Sequence, residues 1–411
     1  MPTPKVIPHY SELVEYNYAV AGHDGTMCDT DGELFIKPCT QSEIDFYQSL
    51  QSPSHSRMAE IVPLFLGSLA MNDSSSIGSI TEQLPVVADQ IISEMKEQIQ
   101  ELIGEQEGAK EMVMSASVAV PTPQSSTASA DNVTWIPNLH RKIPTNSAIA
   151  LDNAAYGFKR PNIMDVKLGR RLWADDAPLE KKRRFDKISK ETTHYDLGFR
   201  ISGMRVYKGS ENAEELDDED YKIYDKDFGR NNVTKENVVD SLRRFIYNST
   251  AGIDDDYARA VAVAFRRDLE HIRDVLESEE SRMYSSSLLF VFEGDGEALK
   301  AAIAESSGSA TSSVRDKSKE HDDDNDDLPG RSTSRIDSGI CLDDDGEIVF
   351  PGAGPADSAS ASDSDEEYEP KIWNLKLIDF AHSAWTPGQG PDENILLGVR
   401  SLIKIFDELA Q

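Results

Sequence analysis

The sequence predicts an α+β fold of two lobes with a ligand-binding cleft between them. Segments typical of strands alternate with segments typical of helices, in two blocks that join at residues 152–156. Two apolar strand-like segments, residues 161–169 and 375–382, carry charged side chains. We expect an N-terminal lobe over residues 1–153, with a Ser-rich and helical insertion at about 72–130. A C-terminal lobe follows over 154–411, with an acidic disordered insertion at about 304–370.

The N-terminal block predicts four regular elements before the junction. The periodicity indicates strands at 34–37, 61–69 and 148–153 and a helix at 41–50. Within the insertion, residues 84–107 have apolar side chains at helical spacing. This helix either packs on the rest of the chain or binds a partner, and the pattern leaves both readings open.

The C-terminal block predicts a mixed sheet with several helices. The same periodicities indicate helices at 178–190, 237–247, 256–277 and 394–409, and strands at 198–207, 287–293 and 372–380. Asp175 or Asp176 can cap the first helix, and Pro178 suits its first turn. Residues 304–370 are rich in Ser, Asp and Gly and poor in aromatic residues, which is typical of disorder.

The charge of the chain excludes a general binder of nucleic acid or of acidic membrane surfaces. The formal net charge is −32 over 411 residues, and such a protein repels polyanions. Basic residues nevertheless concentrate at 159–160, 170–171 and 181–187. A local cationic site for a small polyanionic molecule can therefore lie within an acidic protein.

The cysteines and the N-terminus indicate where in the cell the protein is expected. Cys28, Cys39 and Cys341 have no metal-like spacing and form no disulfide framework, which suits a reducing compartment. The first residues lack the apolar core of a signal peptide, and no run is apolar enough to span a bilayer. We expect the nucleus and cytoplasm, without membrane attachment, and we assign the basic run at 181–184 to the site.

Asp165 and Lys167 are the strongest candidates for catalysis. In an extended segment their side chains point to the same face. A carboxylate can orient an attacking hydroxyl while an ammonium neutralises phosphate charge, so the pair suits phosphoryl transfer. A surface ion pair is the commoner explanation of such spacing, but the apolar neighbours and the place just after the junction favour the catalytic one.

Lys37 and Asp379 predict a nucleotide and metal site. A lysine at the end of an apolar strand, followed by a helix carrying Glu43, is the arrangement that protein kinases use to orient phosphates. Asp45 is the alternative acid, and a lone strand lysine is more often solvated. Asp379 ends another apolar strand and is a natural Mg²⁺ ligand.

The helix at 178–190 predicts a phosphate cradle. Lys181, Arg184 and Lys187 are three residues apart and share a face. Such a face is usually solvated, but several phosphates need a cluster of donors, and this cluster follows the Asp165–Lys167 pair.

Three motifs together resemble the inositol polyphosphate kinase family. They are P-x-x-x-D-x-K-x-G at 161–169, SSLL at 286–289 and IDF at 378–380, in that order. The resemblance covers 17–69, 132–304 and 371–409, and it is greatest to the fungal multikinases, a group linked to arginine-responsive transcription. It implies a protein-kinase-like fold with ATP between the lobes and Mg²⁺ at Asp379. It also implies ATP-dependent phosphorylation of inositol trisphosphate and tetrakisphosphate to the pentakisphosphate.

The resemblance also implies a role for each candidate. Lys37 and Glu43 orient the ATP phosphates, and the backbone of Asp152 and Ala154 faces the adenine. Asn153 stands where the family often has an acid that touches the ribose. Gly22 and His23 belong to an AGH element near the phosphates. Asp165 orients the attacking hydroxyl. The implied contacts to substrate phosphates are Lys167, Lys181, Arg184, Lys187, Arg205 and His382.

Alternatives remain at two levels. Inositol hexakisphosphate kinases and trisphosphate 3-kinases share the motifs, although the short span 170–197 favours an open, promiscuous substrate site. A transcriptional scaffold is a reading from another class, because acidic, Ser-rich segments such as 304–370 recruit partners. The scaffold reading implies transcription-factor partners.

Overall fold

A computed structural model of the chain describes residues 12–21, 25–70, 145–315, 341–342, 348–349 and 371–411. The predictions for Gly22, His23, the helix at 84–107 and most of 304–370 lie outside these residues. No helix in the described part of the chain is both long and apolar enough to span a bilayer.

The N-terminal sheet has five antiparallel strands in the order β1-β2-β3-β5-β4. They are β1 Val14–Glu15, β2 Met27–Cys28, β3 Leu34–Pro38, β4 Phe65–Ala70 and β5 Ser147–Asp152, with helices α1 Gln41–Ser49 and α2 Ser56–Glu60 between β3 and β4. The strand predicted from residue 61 begins only at Phe65. Ile61 instead caps α2, and Pro63 has no N–H with which to join a ladder.

The second sheet has the order β13-β10-β6-β7-β8. Its strands are β6 Pro161–Leu168, β7 Phe199–Tyr207, β8 Tyr221–Tyr224, β10 Ser287–Glu293 and β13 Trp373–Ile378. Two short pairs lie outside it: β9 Ser281–Met283 with β14 Ser383–Trp385, and β11 Cys341–Leu342 with β12 Ile348–Val349. The central strand β6 pairs with β10 and β7, which fixes the two faces of the sheet.

Helices pack against this sheet and against one another. They are α3 Leu179–Lys190, α4 Thr193–Leu197, α5 Val238–Ile246, α6 Asp255–Ser278, α7 Gly296–Arg315 and α8 Glu393–Leu409. Phe265 of α6 and Phe406 of α8 both pack against Phe290 of β10, with ring centroids 5.1 and 5.4 Å away. Strands and helices thus share one core, and the α+β prediction is confirmed.

Further local predictions are wrong. The predicted disorder of 304–370 does not hold for β11 and β12, which pair with each other. Pro178 is the residue that precedes α3, and neither Asp175 nor Asp176 caps it. Asp175 cannot serve as the cap because its carboxylate accepts a hydrogen bond from Arg171. Helix α7 also continues past residue 304 to Arg315, since its alanine-rich sequence without proline favours a helix over disorder.

Gly203 brings the N-terminal segment onto the second sheet. It lies opposite Asp165, where β7 shifts register against β6 by a bulge. A Cβ at this position would lie 2.1 Å from the carbonyl oxygen of Val20. Only glycine allows this close approach. The segment 17–21 therefore lies directly over the face that carries Asp165.

Candidate active site

A cleft of about 890 Å³, including its open mouth, lies between the two sheets. Apolar side chains from both sheets and from the segment after β1 line one part of it. They are Leu151, Ile163, Leu289 and Ile378 of the sheets and Ala19 and Val20 of that segment. Lys37, Asp165 and Asp379 line the other part. An apolar slot that ends in a few charged groups is typical of a site for a small molecule with an aromatic and an ionic part.

Lys37 is held between two carboxylates. Its Nζ lies 2.8 Å from Glu43 Oε1 and 2.6 Å from Asp379 Oδ1. Burial alone would lower the pKa of Lys37, but Asp379 and Glu43 outweigh it and raise the pKa, so the ammonium stays charged. Asp45 accepts from Gln41 on the exposed side of α1 instead. The structure therefore pairs Lys37 with Glu43 and not with Asp45.

Glu43 also fixes the segment that carries Asp379. It is 1% exposed, and its Oε1 accepts a hydrogen bond from the backbone N–H of Phe380 at 3.1 Å. The Phe380 ring stacks on Phe46 of α1, whose other neighbour is Trp385, with centroid separations of 4.6 and 5.0 Å. Helix α1 thus positions both Lys37 and Asp379.

Asp379 adopts a backbone conformation that most residues avoid. Its φ is +70°, in the left-handed region that Asp and Asn tolerate better than other non-glycine residues. Its Oδ2 lies 3.9 Å from Lys167 Nζ. The carboxylate is thereby directed between the two lysines, where the charged part of a ligand would lie.

A metal ion would need ligands beyond this carboxylate. In the described residues, no three His, Cys, Asp or Glu side chains form a group that could hold a metal by themselves. Mg²⁺ is commonly bound by one or two carboxylates together with phosphate oxygens and water. Asp379 in the same cleft as Asp165 fits that kind of shared site.

Asp165 and Lys167 share one face of β6. Asp165 lies opposite Leu289, and Lys167 lies opposite Ser287, in the register with β10. Lys167 Nζ donates to the carbonyl oxygen of Ser285 at 2.8 Å, which holds it in place. Asp165 is 5% exposed, and burial raises its pKa to about 6, against the opposing effect of Lys167. The pair can thus present a carboxylate and an ammonium together at pH 7.

The connection between the sheets is braced by Asn153. Its Oδ1 accepts from the Ala155 N–H at 3.0 Å, and its Nδ2 donates to Gly32 O at 2.7 Å. The Asn153 side chain therefore bonds to the protein's own backbone. This agrees with the presence of an amide at a position where the resembled family often has an acid. The Ala154 N–H, by contrast, makes no hydrogen bond to another described residue. Ala154 and Asp152 both line the cleft.

The basic helix α3 meets the end of β13 at its first turn. Lys181 Nζ lies 3.5 Å from Nε2 of His382, an exposed residue. Desolvation by neighbouring groups and the charge of Lys181 lower the pKa of His382. Arg184 and Lys187 lie further along the exposed side of α3, and Lys187 is 3.8 Å from Glu191. Lys181 and His382 are therefore the two predicted phosphate ligands that the structure brings together.

Arg205, unlike Lys181 and His382, is engaged by other groups of the protein. Its Nη2 binds Glu219, its Nη1 lies 3.7 Å from Asp217 Oδ2, and its guanidinium lies between the rings of Tyr18 and Tyr221. Both terminal nitrogens are engaged by the protein. This arrangement argues for a structural arginine that holds the N-terminal segment, and against the phosphate contact that the resemblance implied.

Two positions near the site were not predicted. Asn394 at the start of α8 accepts from the N–H groups of Arg170 and Arg171 at 2.9 and 2.8 Å, which fixes the turn after β6. Arg200 lies on β7 directly opposite Lys167. No local signal marks either residue, because the face of Arg200 depends on the register between β6 and β7.

Comparison with known proteins identifies relatives. The sequence model of the inositol polyphosphate kinase family matches residues 148–407. The inositol polyphosphate multikinase of Saccharomyces cerevisiae is 32% identical over 397 residues, which covers 95% of this chain and 96% of the relative. The Schizosaccharomyces pombe inositol polyphosphate multikinase is 27% identical over 282 residues, covering 69% and 80%. Human inositol hexakisphosphate kinase 1 is 29% identical over 271 residues, covering 64% and 52%.

A solved structure shares the fold. The crystal structure of inositol phosphate multikinase Ipk2 from S. cerevisiae, in complex with ADP and Mn²⁺, matches with a TM-score of 0.53 and 24% identity. The match covers 92% of this chain and all of that one. The kinase-like bilobal fold predicted from the sequence is confirmed.

Proposed function

Because the chain belongs to the inositol polyphosphate kinase family, we propose that it transfers the γ-phosphate of ATP to hydroxyls of inositol trisphosphate and tetrakisphosphate, giving inositol pentakisphosphate. One observation carries the proposal. Asp165 and Lys167 share a face of β6, in a cleft that also contains the Lys37–Glu43–Asp379 network. This is the set of charges that the transfer of a phosphoryl group from a nucleotide to a hydroxyl, with release of the nucleoside diphosphate, requires.

The nucleotide end of the cleft is proposed to bind ATP. The adenine fits the apolar slot beside Leu151 and Ile163, with the N–H of Ala154, which donates to no described residue, as its hydrogen-bond donor. Lys37 contacts the phosphates and is aimed by Glu43. Asp379 would hold a divalent cation, proposed to be Mg²⁺, which would neutralise the charge of the phosphates. The S. cerevisiae structure of the same fold is in complex with ADP and Mn²⁺, which supports the use of a nucleotide and a divalent cation.

Asp165 is proposed to act on the acceptor hydroxyl. Its carboxylate accepts the hydroxyl's hydrogen bond and aims the oxygen at the γ-phosphorus, taking the proton as the bond forms. Lys167, fixed on Ser285 O, stabilises the negative charge on the transferring group. The remaining phosphates of the substrate are bound at the mouth by Lys181 and His382.

The test is a product analysis. The purified protein is incubated with Mg·ATP and, separately, with inositol trisphosphate, tetrakisphosphate and hexakisphosphate, and the products are separated by anion exchange. We expect trisphosphate and tetrakisphosphate to be converted to pentakisphosphate. Conversion of hexakisphosphate alone would instead assign the chain to the pyrophosphate-forming branch. No conversion by a folded, ATP-binding protein would refute the proposal.

Lys181 provides a test of the substrate mouth. Lys181→Gln removes a charge beside His382, so we expect the KM for inositol trisphosphate to rise about 5- to 10-fold, since one charged hydrogen bond is worth about 1–2 kcal/mol. The KM for ATP should not change. Lys190→Gln, at the exposed end of the same helix, is the matched control. Equal KM values in the two variants would remove Lys181 from the site.

A second function is supported by the charge distribution. Acidic residues concentrate at 322–327, 343–345 and 363–367, and they account for much of the net charge of −32. We propose that this insertion recruits transcription-factor partners in the nucleus, while the kinase itself acts in both nucleus and cytoplasm. Imaging of the tagged full chain tests the location.

Deletion of residues 316–370 separates the two functions. Every site residue that the structure describes lies at 12–70, 145–305 or 371–411, so we expect turnover to be retained within about two-fold. Partner capture should be lost. A folded deletion variant without turnover would show that the insertion takes part in catalysis.

A further inference from the structure

Arg200 is a buried arginine without an ion-pair partner within 4 Å among the described residues. It is 5% exposed, and its Nε and Nη1 make no hydrogen bond to any described residue. A guanidinium cannot shed its charge, and a buried charge without compensation is costly. Burial and the neighbouring Arg230 lower the pKa of Arg200 to about 10, which leaves it charged at neutral pH. The fold therefore maintains a costly charge at this position.

The register places this charge at the reacting face. Arg200 pairs directly with Lys167 across β6 and β7, so the two side chains leave the same side of the sheet. Asp165 lies two residues from Lys167 on that side. Charge interactions connect Arg200 with Asp165, and each affects the ionisation of the other. Two residues after β8 also act on Arg200. Arg230 adds a positive charge near it, and Asp227 adds a negative one.

Asp165 has the complementary unused atom. Its Oδ1 is buried and has no hydrogen bond of good geometry to a described residue, although the hydroxyl of Ser287 on β10 is close enough to lower the pKa of Asp165. Since Asp165 lines the cleft, Oδ2 is the oxygen left to meet a ligand. No nitrogen of Arg200 lies within 4 Å of the Asp165 carboxylate, so the unused donors of Arg200 can reach the buried oxygen of Asp165 through one bridging water, which would satisfy both.

We propose that Arg200 is a positioning residue for phosphoryl transfer, which holds the inner oxygen of Asp165 so that the outer oxygen stays aimed at the acceptor hydroxyl. This inference rests on the proposed function. Arg205 illustrates the other possible role, that of an arginine that serves only the fold. It lies on the same strand and is 6% exposed, yet Glu219 and Asp217 pair with it. An arginine that served only the fold would be expected to have such partners.

The first test separates turnover from binding and stability. Arg200→Met keeps the length and removes the charge, and we expect kcat to fall about 100-fold, as for a displaced reacting group. The KM values for ATP and inositol trisphosphate should stay within about two-fold, and the melting temperature should not fall. Arg200→Lys should recover part of kcat, and Arg259→Met on helix α6 should behave as wild type.

A double-mutant cycle tests whether Arg200 acts through Asp165. In an Asp165→Asn background, the further change Arg200→Met should leave the residual rate, measured with radiolabelled ATP, unchanged. Additive losses, or an Arg200→Met variant with wild-type kcat, would overturn the inference. A raised KM for inositol trisphosphate would also overturn it, because Arg200 would then bind the substrate. If wild type itself phosphorylates no inositol phosphate, the proposed function fails and the inference fails with it. An active wild type with an equally active Arg200→Met removes the inference alone.

Discussion

Asp379→Asn is expected to lower kcat by at least about 10³-fold with little change in the fold, since it removes the charge that would hold the metal ion on the transferring phosphates. Asn is the appropriate replacement because Asp379 has a φ of +70°, a conformation that Asn also tolerates. Lys37 keeps its contact with Glu43 in the variant, so the strand lysine stays in place. Turnover is measured with radiolabelled ATP and folding by thermal unfolding.

The control for Asp379→Asn is the same change at an exposed acid far from the cleft. Asp240→Asn on helix α5 serves this purpose, and we expect wild-type kcat and KM from it. Raising the Mg²⁺ concentration should restore Asp379→Asn only in small part, because the amide oxygen of Asn can still bind the cation but supplies no negative charge. A variant that turns over at the wild-type rate would remove Asp379 from the site.

Asp165→Asn is expected to lower kcat by about 10²- to 10⁴-fold, the range of a lost general base, with little effect on the KM for ATP. It should also raise the melting temperature at pH 7. Burial raises the pKa of Asp165 to about 6 in the folded protein. The unfolded chain, with the lower ordinary pKa, is therefore favoured as pH rises from about 4 through 6, and ionised Asp165 destabilises the fold above that range.

The two readouts of Asp165→Asn can be checked against pH. For wild type, kcat/KM for the inositol phosphate should fall as the pH drops below about 6, because the carboxylate of the free enzyme is then protonated and accepts no proton from the hydroxyl. The melting-temperature difference between variant and wild type should shrink over the same range. A variant that is less stable than wild type at pH 7 would show that Asp165 is needed for the fold.

The sequence predicted the parts of the site that lie within single elements. Asp165 and Lys167 share a face because alternation along one strand requires it, and the pairing of Lys37 with Glu43 follows from a strand and the helix after it. Asp379 follows its own apolar strand. In each case the spacing along the chain decides the geometry, so local periodicity and a motif were sufficient.

The remainder depends on partners distant in sequence. Arg205 is engaged by Glu219, and Asn153 is engaged by Gly32, which is 121 residues away. Nothing in the spacing of either residue predicts these bonds. Arg200 needed the register between β6 and β7, which the bulge after Asp165 shifts. The charge of such residues marks them as candidates. Only their partners in the folded structure show whether their hydrogen-bond donors are available to a ligand.

The close approach at Gly203 sets a limit on how this sequence can vary over generations. The backbone of Val20 occupies the space where any other residue would place its first carbon. A mutation of Gly203 would leave the carboxylate of Asp165 unchanged but would displace residues 17–21, which lie over it. Lineages that retain the catalytic residues but have lost this glycine would therefore be expected to have altered residues 17–21 as well, so that two distant stretches change together.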